Sequence, residues 1–288
     1  MSSPSVILKT AAPAKVNLSL KLVGKRQDGY HLLDSIFVPV NSVVDDISIT
    51  LSDGDFSVRM SSNVPEMTDA ETNLCSKAAK KYFEMTGLNV DCQIYLNKKI
   101  PIGAGLGGGS SDCAAVLKLL NKHYQKLSDN ELHELALSLG ADVPFFLVNK
   151  ISHVTGIGEN IVPFECNVQL PLFILSPLFS ISTPWAFKHI NPSIIGVDPL
   201  NSSSNIVEAL KNDDILTAAK YLQNDFESLV FNKFPAYTVW KNFLLSCGAL
   251  HVGLSGTGSS FFALFGELSD MENAEKKFYE EYGIFFKK

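Results

Sequence analysis

The chain has 288 residues, 46% of them hydrophobic and 19% charged, which is ample for a core or for two lobes sharing a cleft. Its 24 basic and 30 acidic residues give a formal net charge of -6, with no basic block of the kind that grips nucleic acid. No apolar run approaches the ~20 residues of a membrane helix, and residues 1–10 lack the segments of a signal or transit peptide, so the expectation is a cytoplasmic protein that binds neither nucleic acid nor membrane.

Residues 15–22 alternate strictly, with Val16, Leu18, Leu20 and Leu22 on one face and Lys15, Asn17, Ser19 and Lys21 on the other. That pattern predicts a half-buried strand with a solvated polar face. "SIFVPV", "DISITL" and "FSVRM" are further strand candidates. Residues 73–83 have helical spacing and stop at Gly87, and residues 90–96 alternate again. A glycine-rich run then opens a helix at about Ser110, and Ser128 with Glu131 forms a capping-box pattern for another that ends at Gly140. "ISHVTGIGENIVPF" reads as a hairpin, "LPLFILSP" as a buried strand, and "STPWAF" as a helix start with Thr183 as cap and Pro184 in the first turn. Residues 201–205 read as a polar turn, followed by helices to about Cys247, the strands "ALHVGLSG" and "SSFFALFG", and an amphipathic helix from about Asp270. Strand clusters and helix clusters of this kind predict an α+β fold with two lobes and a boundary near 150–165. The cysteines (Cys75, Cys92, Cys113, Cys166 and Cys247) form no CxxC pair and leave one over. They read as buried reduced thiols, not as a disulfide framework or a zinc site. The basic pairs Lys80-Lys81 and Lys98-Lys99 read as solvated surface.

The run "PIGAGLGGGSSDCAAVLKLL" at residues 101–120 is the most informative stretch. Glycine loses the most backbone freedom on folding, so the cluster needs a purpose. A Walker A loop is excluded, because Gly109 stands where its lysine belongs. Gly103, Gly105 and Gly108 match G-x-G-x-x-G, but the acidic residue expected ~20 positions on falls where a helix opens, not where a strand closes. What remains is a phosphate cradle without a lysine. Glycines allow several backbone N–H groups to converge on one anion, and the helix that follows adds its own free N–H groups and positive end. Ser110 and Ser111 place hydroxyls where a phosphate would sit, or simply cap the helix.

"PIGAGLGGGSSDCAAVL" resembles the nucleotide-binding motif of the GHMP kinase superfamily, and its extra-glycine form resembles the diphosphocytidyl-methylerythritol kinase branch. "PAKVNLSLKLVGKRQDGYHLLDSIF" resembles the N-terminal segment of that branch, "LGADVPFF" its catalytic-aspartate segment, and "LSGTGSSFFALF" the third GHMP motif. These segments run from Pro13 to Phe265, and residues 190–245 carry little of the likeness. The resemblance implies a two-lobed α+β GHMP kinase fold with its active site in the cleft between lobes. Residues 1–155 would form the nucleotide-binding lobe and residues 156–288 the substrate-binding lobe. It implies ATP and Mg2+ as cofactors and phosphorylation of the 2-hydroxyl of 4-diphosphocytidyl-2-C-methyl-D-erythritol, in the non-mevalonate route to isopentenyl diphosphate. Monomer and homodimer stay open, and the metal ligands are unassigned. Another small-alcohol kinase of the superfamily (mevalonate or homoserine kinase) and a catalytically silent nucleotide-binding regulator are the alternatives.

The same resemblance makes Asp142 the base and Lys15 its cationic partner, although alone they read as a turn carboxylate and a strand lysine. Asn17 shares the facing of Lys15 and would donate to substrate. Pro101, Gly103, Gly105, Leu106, Gly107, Gly108, Gly109, Ser110 and Ser111 would hold the nucleotide, with Asn73 and Lys98 toward its adenosine. Tyr30 and His31 of the "DGYH" turn would stack on the cytosine and read its edge, with Thr183 and Phe187 on the other side of that pocket. Trp185 departs from the smaller aliphatic residue expected there.

Overall fold

In the computed structural model, which describes residues 5–197 and 201–287, β1 (Val6–Lys25) is far longer than its visible alternation. Residues 1–4 of the N-terminal stretch lie outside the described residues. The polar face of β1 is not solvated: Lys15, Asn17, Ser19 and Lys21 are each at most 5% exposed. Buried polar groups must find partners. Asn17 Nδ2 donates to Ser35 Oγ at 3.0 Å, Ser19 Oγ to the Gln223 carbonyl at 3.0 Å, and Lys21 pairs with Asp225 at 3.1 Å. The half-buried strand is therefore a fully buried one with a polar seam.

A tight turn with Gly29 at φ +92° returns the chain into β2 (His31–Ser52), which joins "SIFVPV" and "DISITL" in one strand. After β3 (Ser57–Ser62), α1 (Leu74–Thr86) opens on Asn73, whose side chain accepts from the Cys75 N–H, and closes on left-handed Gly87. β4 (Asp91–Asn97) pairs antiparallel with β2, Ile49 opposite Ile94, and parallel with β3. α2 (Gly108–Tyr124) starts two residues before Ser110, and α3 (Asp129–Leu139) has the Ser128–Glu131 capping box in full. α4 (Val143–Val148) follows at once. The hairpin is β5 (Ser152–Gly156) and β6 (Asn160–Pro163), with β5 paired to the first part of β2.

β7 (Leu172–Leu175) precedes α5 (Thr183–His189). The cap of α5 is Ser182, accepting from the Trp185 N–H, and not Thr183, which stands one residue inside the helix. The polar residues 201–205 are a helix start and not a turn: α6 (Ser202–Lys211) begins there, after left-handed Asn201. α7 (Ile215–Ala219), α8 (Glu227–Lys233) and α9 (Ala236–Ser246) lead to β8 (His251–Leu254), β9 (Phe261–Leu264) and α10 (Leu268–Tyr282).

The chain divides into two compact units, interleaved in sequence. One holds Met1–Lys15, Pro39–Ile100 and Gly107–Asn149, and the other Val16–Val38, Pro101–Leu106 and Lys150–Lys288. The sequence reading places a single cut after residue 155, whereas both β1 and β2 pass from one unit into the other. In the first unit α1, α2, α3 and α4 pack together, and Tyr82, Phe83, Phe145, Val116 and Leu120 are buried there. In the second, β9 lies between β7 and β8, all antiparallel, and carries a core with Leu20, Leu22, Phe226, Trp240 and Phe278. Cys75, Cys92 and Cys113 are buried and free, while Cys166 and Cys247 are free but only half-buried. Among the described residues no helix is long and apolar enough to cross a membrane.

Candidate active site

The glycine run builds an alternating backbone. Gly103, Gly105 and Gly107 have φ of +65°, +80° and +70°, with Ala104 and Leu106 between them. Alternation of this kind turns successive N–H groups to one side and makes a concave nest for an anion. In the first unit Gly107 is also the residue that caps α2, whose free N–H groups lie at that end. A Cβ at Gly109 would have no neighbour nearer than Leu74 Cδ1 at 3.9 Å, which leaves room for a ligand over the first turn.

Two of the glycines are held by close neighbours. A Cβ at Gly105 would fall 2.1 Å from the Ser255 carbonyl oxygen, which belongs to the second glycine-rich segment. Ser255 Oγ donates to the Gly105 carbonyl at 2.8 Å and accepts from the Asn17 N–H at 3.2 Å, while the Ser260 N–H donates to the Ala104 carbonyl at 3.0 Å. The two loops are thus knit into one piece of the second unit. Tyr237 Oη anchors that piece through the Ser259 carbonyl at 2.6 Å, and Asn224 Nδ2 bridges the Leu254 and Gly256 carbonyls.

In the first unit, a Cβ at Gly107 would meet Phe146 Cζ at 2.8 Å and Lys15 Cγ at 3.0 Å. The lysine side chain therefore runs against the start of α2. Its Nζ lies 3.6 Å from Asp142 Oδ2. Asp142 precedes Val143 and Pro144 at the start of α4, and its side chain makes no capping bond to that helix, so the turn-carboxylate alternative is not what holds it. Burial pulls the Lys15 ammonium below its ordinary range, and Asp142 partly opposes that pull. An ion pair between a buried lysine and a half-exposed carboxylate adds little to stability.

The remaining sequence-derived candidates fall as follows. Asn73 caps α1 and donates from Nδ2 to the Met67 carbonyl at 2.8 Å. Lys98 is not on the surface: its side chain is buried, and Nζ pairs with Asp45 and with Asp112, the latter at 3.0 Å. A Cβ at Gly108 would fall 2.6 Å from that Nζ, so Lys98 braces the first turn of α2 from beneath. Its neighbour Lys99 is the exposed member of the pair, bridged to Asp46 at 2.8 Å. Ser111 is buried and its Oγ meets no partner among the described residues.

In the second unit the "DGYH" turn leaves Tyr30 61% exposed. The His31 and Phe187 rings lie 5.1 Å apart at 32°, and Phe187 rests edge-on against Phe226 at 4.9 Å. Residues from distant parts of the sequence therefore meet here. Burial first, then Lys25, holds the His31 imidazole below its usual range and hence neutral at pH 7. Thr183 Oγ1 shares a hydrogen bond with Thr257 Oγ1 at 3.1 Å, tying α5 to the second glycine-rich loop. Trp185, half-buried against the core of this unit, stacks on His189 at 5.0 Å.

Sequence reasoning missed Ser35, Asp45, Asn224, Asp225 and Ser255. Each is a polar residue that satisfies a buried group on another segment. The available signal was the polar seam of β1, whose lysines and asparagine required partners once the strand was enclosed.

The GHMP kinases N terminal domain matches residues 73–150, and the GHMP kinases C terminal domain matches residues 206–284. The chain is 39% identical over 279 residues to the 4-diphosphocytidyl-2-C-methyl-D-erythritol kinase of Chlorobium phaeobacteroides (strain BS1), covering 96% of each. It is 36% identical over 272 residues to that of Prosthecochloris aestuarii, covering 94% of this chain and 93% of the relative. A crystal structure of 4-(cytidine 5'-diphospho)-2C-methyl-D-erythritol kinase superposes with a TM-score of 0.78 at 32% identity, over 95% of this chain and 96% of that one. Homoserine kinase from Cytophaga hutchinsonii shares the fold, with a TM-score of 0.73 at 23% identity over 98% and 92%. An anion nest capping a helix, a buried lysine against its first turn, an aspartate beside that lysine, and two family domains over more than half the sequence converge on one assignment: the chain belongs to the GHMP kinase family.

Proposed function

We propose that this protein transfers the γ-phosphoryl group of ATP to the 2-hydroxyl of 4-diphosphocytidyl-2-C-methyl-D-erythritol. The observation that carries the reading is the full-length similarity to kinases of that name, together with the Lys15–Asp142 pair set against the start of α2. Residues 103–111 bind the triphosphate through backbone N–H groups and the Ser110 and Ser111 hydroxyls, with Pro101 setting the entry of the loop and Asn73 and Lys98 supporting its adenosine side. Asp142 orients the attacking hydroxyl and takes its proton. Lys15 keeps that carboxylate in place and offsets charge on the transferred phosphoryl group, the main requirement of this chemistry. Asn17 donates to the substrate. Tyr30 and Phe187 flank the cytosine, His31 reads its polar edge as a neutral imidazole, and Thr183 closes the pocket. Among the described residues no group of three or more His, Cys, Asp or Glu is placed to hold a metal ion. Magnesium would be carried on the nucleotide phosphates, as this ion commonly is, and would supply charge neutralisation there.

The test is a phosphorus NMR assay of ATP and magnesium with a panel of alcohols. Turnover is expected with the cytidylyl substrate, and little with mevalonate, homoserine or methylerythritol phosphate lacking CMP. Comparable kcat/KM for mevalonate would place the chain in another branch of the family. Nucleotide binding with no turnover on any alcohol would make it a regulator.

A further inference from the structure

Beneath the phosphate loop, Lys98, Asp45 and Asp112 form a closed cluster in the first unit, each side chain at most 3% exposed. Asp45 has a full set of donors: Lys98 Nζ, the Lys99 N–H at 2.5 Å and the Ile100 N–H at 2.8 Å. Asp112 stands in the first turns of α2 and is held differently. Its Oδ2 lies 3.0 Å from Lys98 Nζ, the ammonium it shares with Asp45, and its Oδ1 meets no donor among the described residues. The remaining titratable groups around it are the Cys75 thiol on α1 and the Cys113 thiol on its own helix, both pushed upward by burial and so neutral.

Two carboxyls and one ammonium without water leave one uncompensated negative charge unless a proton joins them. Asp45 is satisfied by donors, so a proton that joins the cluster goes to Asp112. Resting on the nucleotide-site reading above, we infer that Asp112 is a positioning residue of the phosphate loop that gains a proton from solvent when nucleotide phosphates settle over the start of α2. The Gly108 backbone lies against Lys98 Nζ, which couples the charge of the cluster directly to the anion nest. With Asp112 ionised, the cluster opposes the phosphates through the helix end. With Asp112 protonated it is neutral, and the loop keeps its full attraction for them. Burial, with Asp45 beside it, raises this carboxyl to about 7, so the exchange falls in the working range of pH.

The experiment is calorimetric titration of the full-length protein with ADP and saturating magnesium, in HEPES and in Tris at about pH 7.5. The slope of binding enthalpy against buffer ionisation enthalpy counts protons taken up. The wild type is expected to take up about half a proton, and Asp112→Asn to lose most of that uptake while still binding ADP. Lys15 also lies on the loop and can contribute to both proteins, so the difference between them is the readout. Equal uptake in the wild type and Asp112→Asn overturns the inference. Should that variant fail to fold, Asp112→Ser takes its place in the same comparison, and a wild-type binding enthalpy that does not depend on buffer refutes the inference by itself. No ADP binding at all would overturn the nucleotide-site reading and this inference together, whereas binding without proton uptake overturns this inference only.

Discussion

Lys15 Nζ lies 3.6 Å from Asp142 Oδ2, with the lysine side chain 5% exposed and the aspartate 33% exposed. The cation is dry and fixed, while the carboxylate keeps an open edge from which to meet a hydroxyl. Asp142→Asn preserves the shape and removes the proton acceptor, so kcat should fall by about 10²–10⁴-fold, with ADP affinity unchanged. Lys15→Met should also lower kcat. The double variant should lose far less than the product of the two, since the residues act on one proton. Multiplicative losses in steady-state assays would separate the pair.

The pH profile follows from the same contact. Burial lowers Lys15 from its ordinary value of 10.5, and Asp142 raises it in part. The proposed role of Lys15 requires the ammonium, which is present at low pH and lost as pH rises through the lowered value. The alkaline limb of kcat should therefore begin below the range of an exposed lysine. Asp142→Asn removes the raising contribution, so the residual activity of that variant should lose its alkaline limb at still lower pH. A limb unmoved by that substitution would assign it to another group.

Substitution at the glycines should separate folding from chemistry. Gly105 has φ +80° and its Cβ position lies 2.1 Å from a backbone oxygen, which cannot yield as a side chain can. Gly105→Ala is expected to lower the melting temperature as well as nucleotide affinity. At Gly107 the obstructing atoms belong to Phe146 and Lys15. Gly107→Ala should fold, displace Lys15, and lose kcat together with ADP affinity. Thermal denaturation run beside ADP titration distinguishes the two cases.

Phe187 and His31 offer a test of base recognition. Stacking on a ring is worth roughly 1–3 kcal/mol per base, so Phe187→Leu should raise KM for the cytidylyl substrate by ~5–150-fold and leave KM for ATP alone. His31 is held neutral by burial and by Lys25. Substrate affinity should stay level as pH falls through the ordinary histidine range near 6.5 and weaken only below it. Loss of affinity already at pH 7 would show that the imidazole is not the reader.

Asp225 tests stability apart from catalysis. It pairs with Lys21 at 3.1 Å, both nearly enclosed, and its Oδ2 accepts the Leu22 N–H at 2.7 Å. Asp225→Ala strands a buried ammonium and should cost about 3–5 kcal/mol. Lys21→Met with Asp225→Leu should recover much of that. Urea denaturation of the single and double variants measures both.

Much of this fold is legible because local chemistry and tertiary context agree. Asn73, Ser128 with Glu131, and Gly87 each mark a helix end that the structure keeps. The failures share a different cause. Lys98, read from its basic neighbour as surface, is buried because Asp45 and Asp112 come to it from other segments. Thr183 has the chemistry of a cap, yet Ser182 takes that role because Thr183 is turned toward Thr257. The polar face of β1 is ordinary for an exposed strand, and only the arrival of Ser35, Gln223 and Asp225 shows that it is enclosed. Of the candidate site, the glycine run and the strand period were readable locally. The meeting of His31 with Phe187 rests on contacts that no spacing encodes.

The interleaving of the two units along the chain bears on how such a protein can be inherited and handled. Neither unit is encoded by an uninterrupted stretch of the gene. Genetic exchange that swaps one contiguous block, or a laboratory truncation after residue 149, removes most of one unit but leaves its Val16–Val38 and Pro101–Leu106 segments behind without their packing partners. Half-length expression products should therefore be proteolytically labile and recombinants viable only as near-complete chains, so variation in this architecture is expected to accumulate by point substitution and loop change, not by modular shuffling.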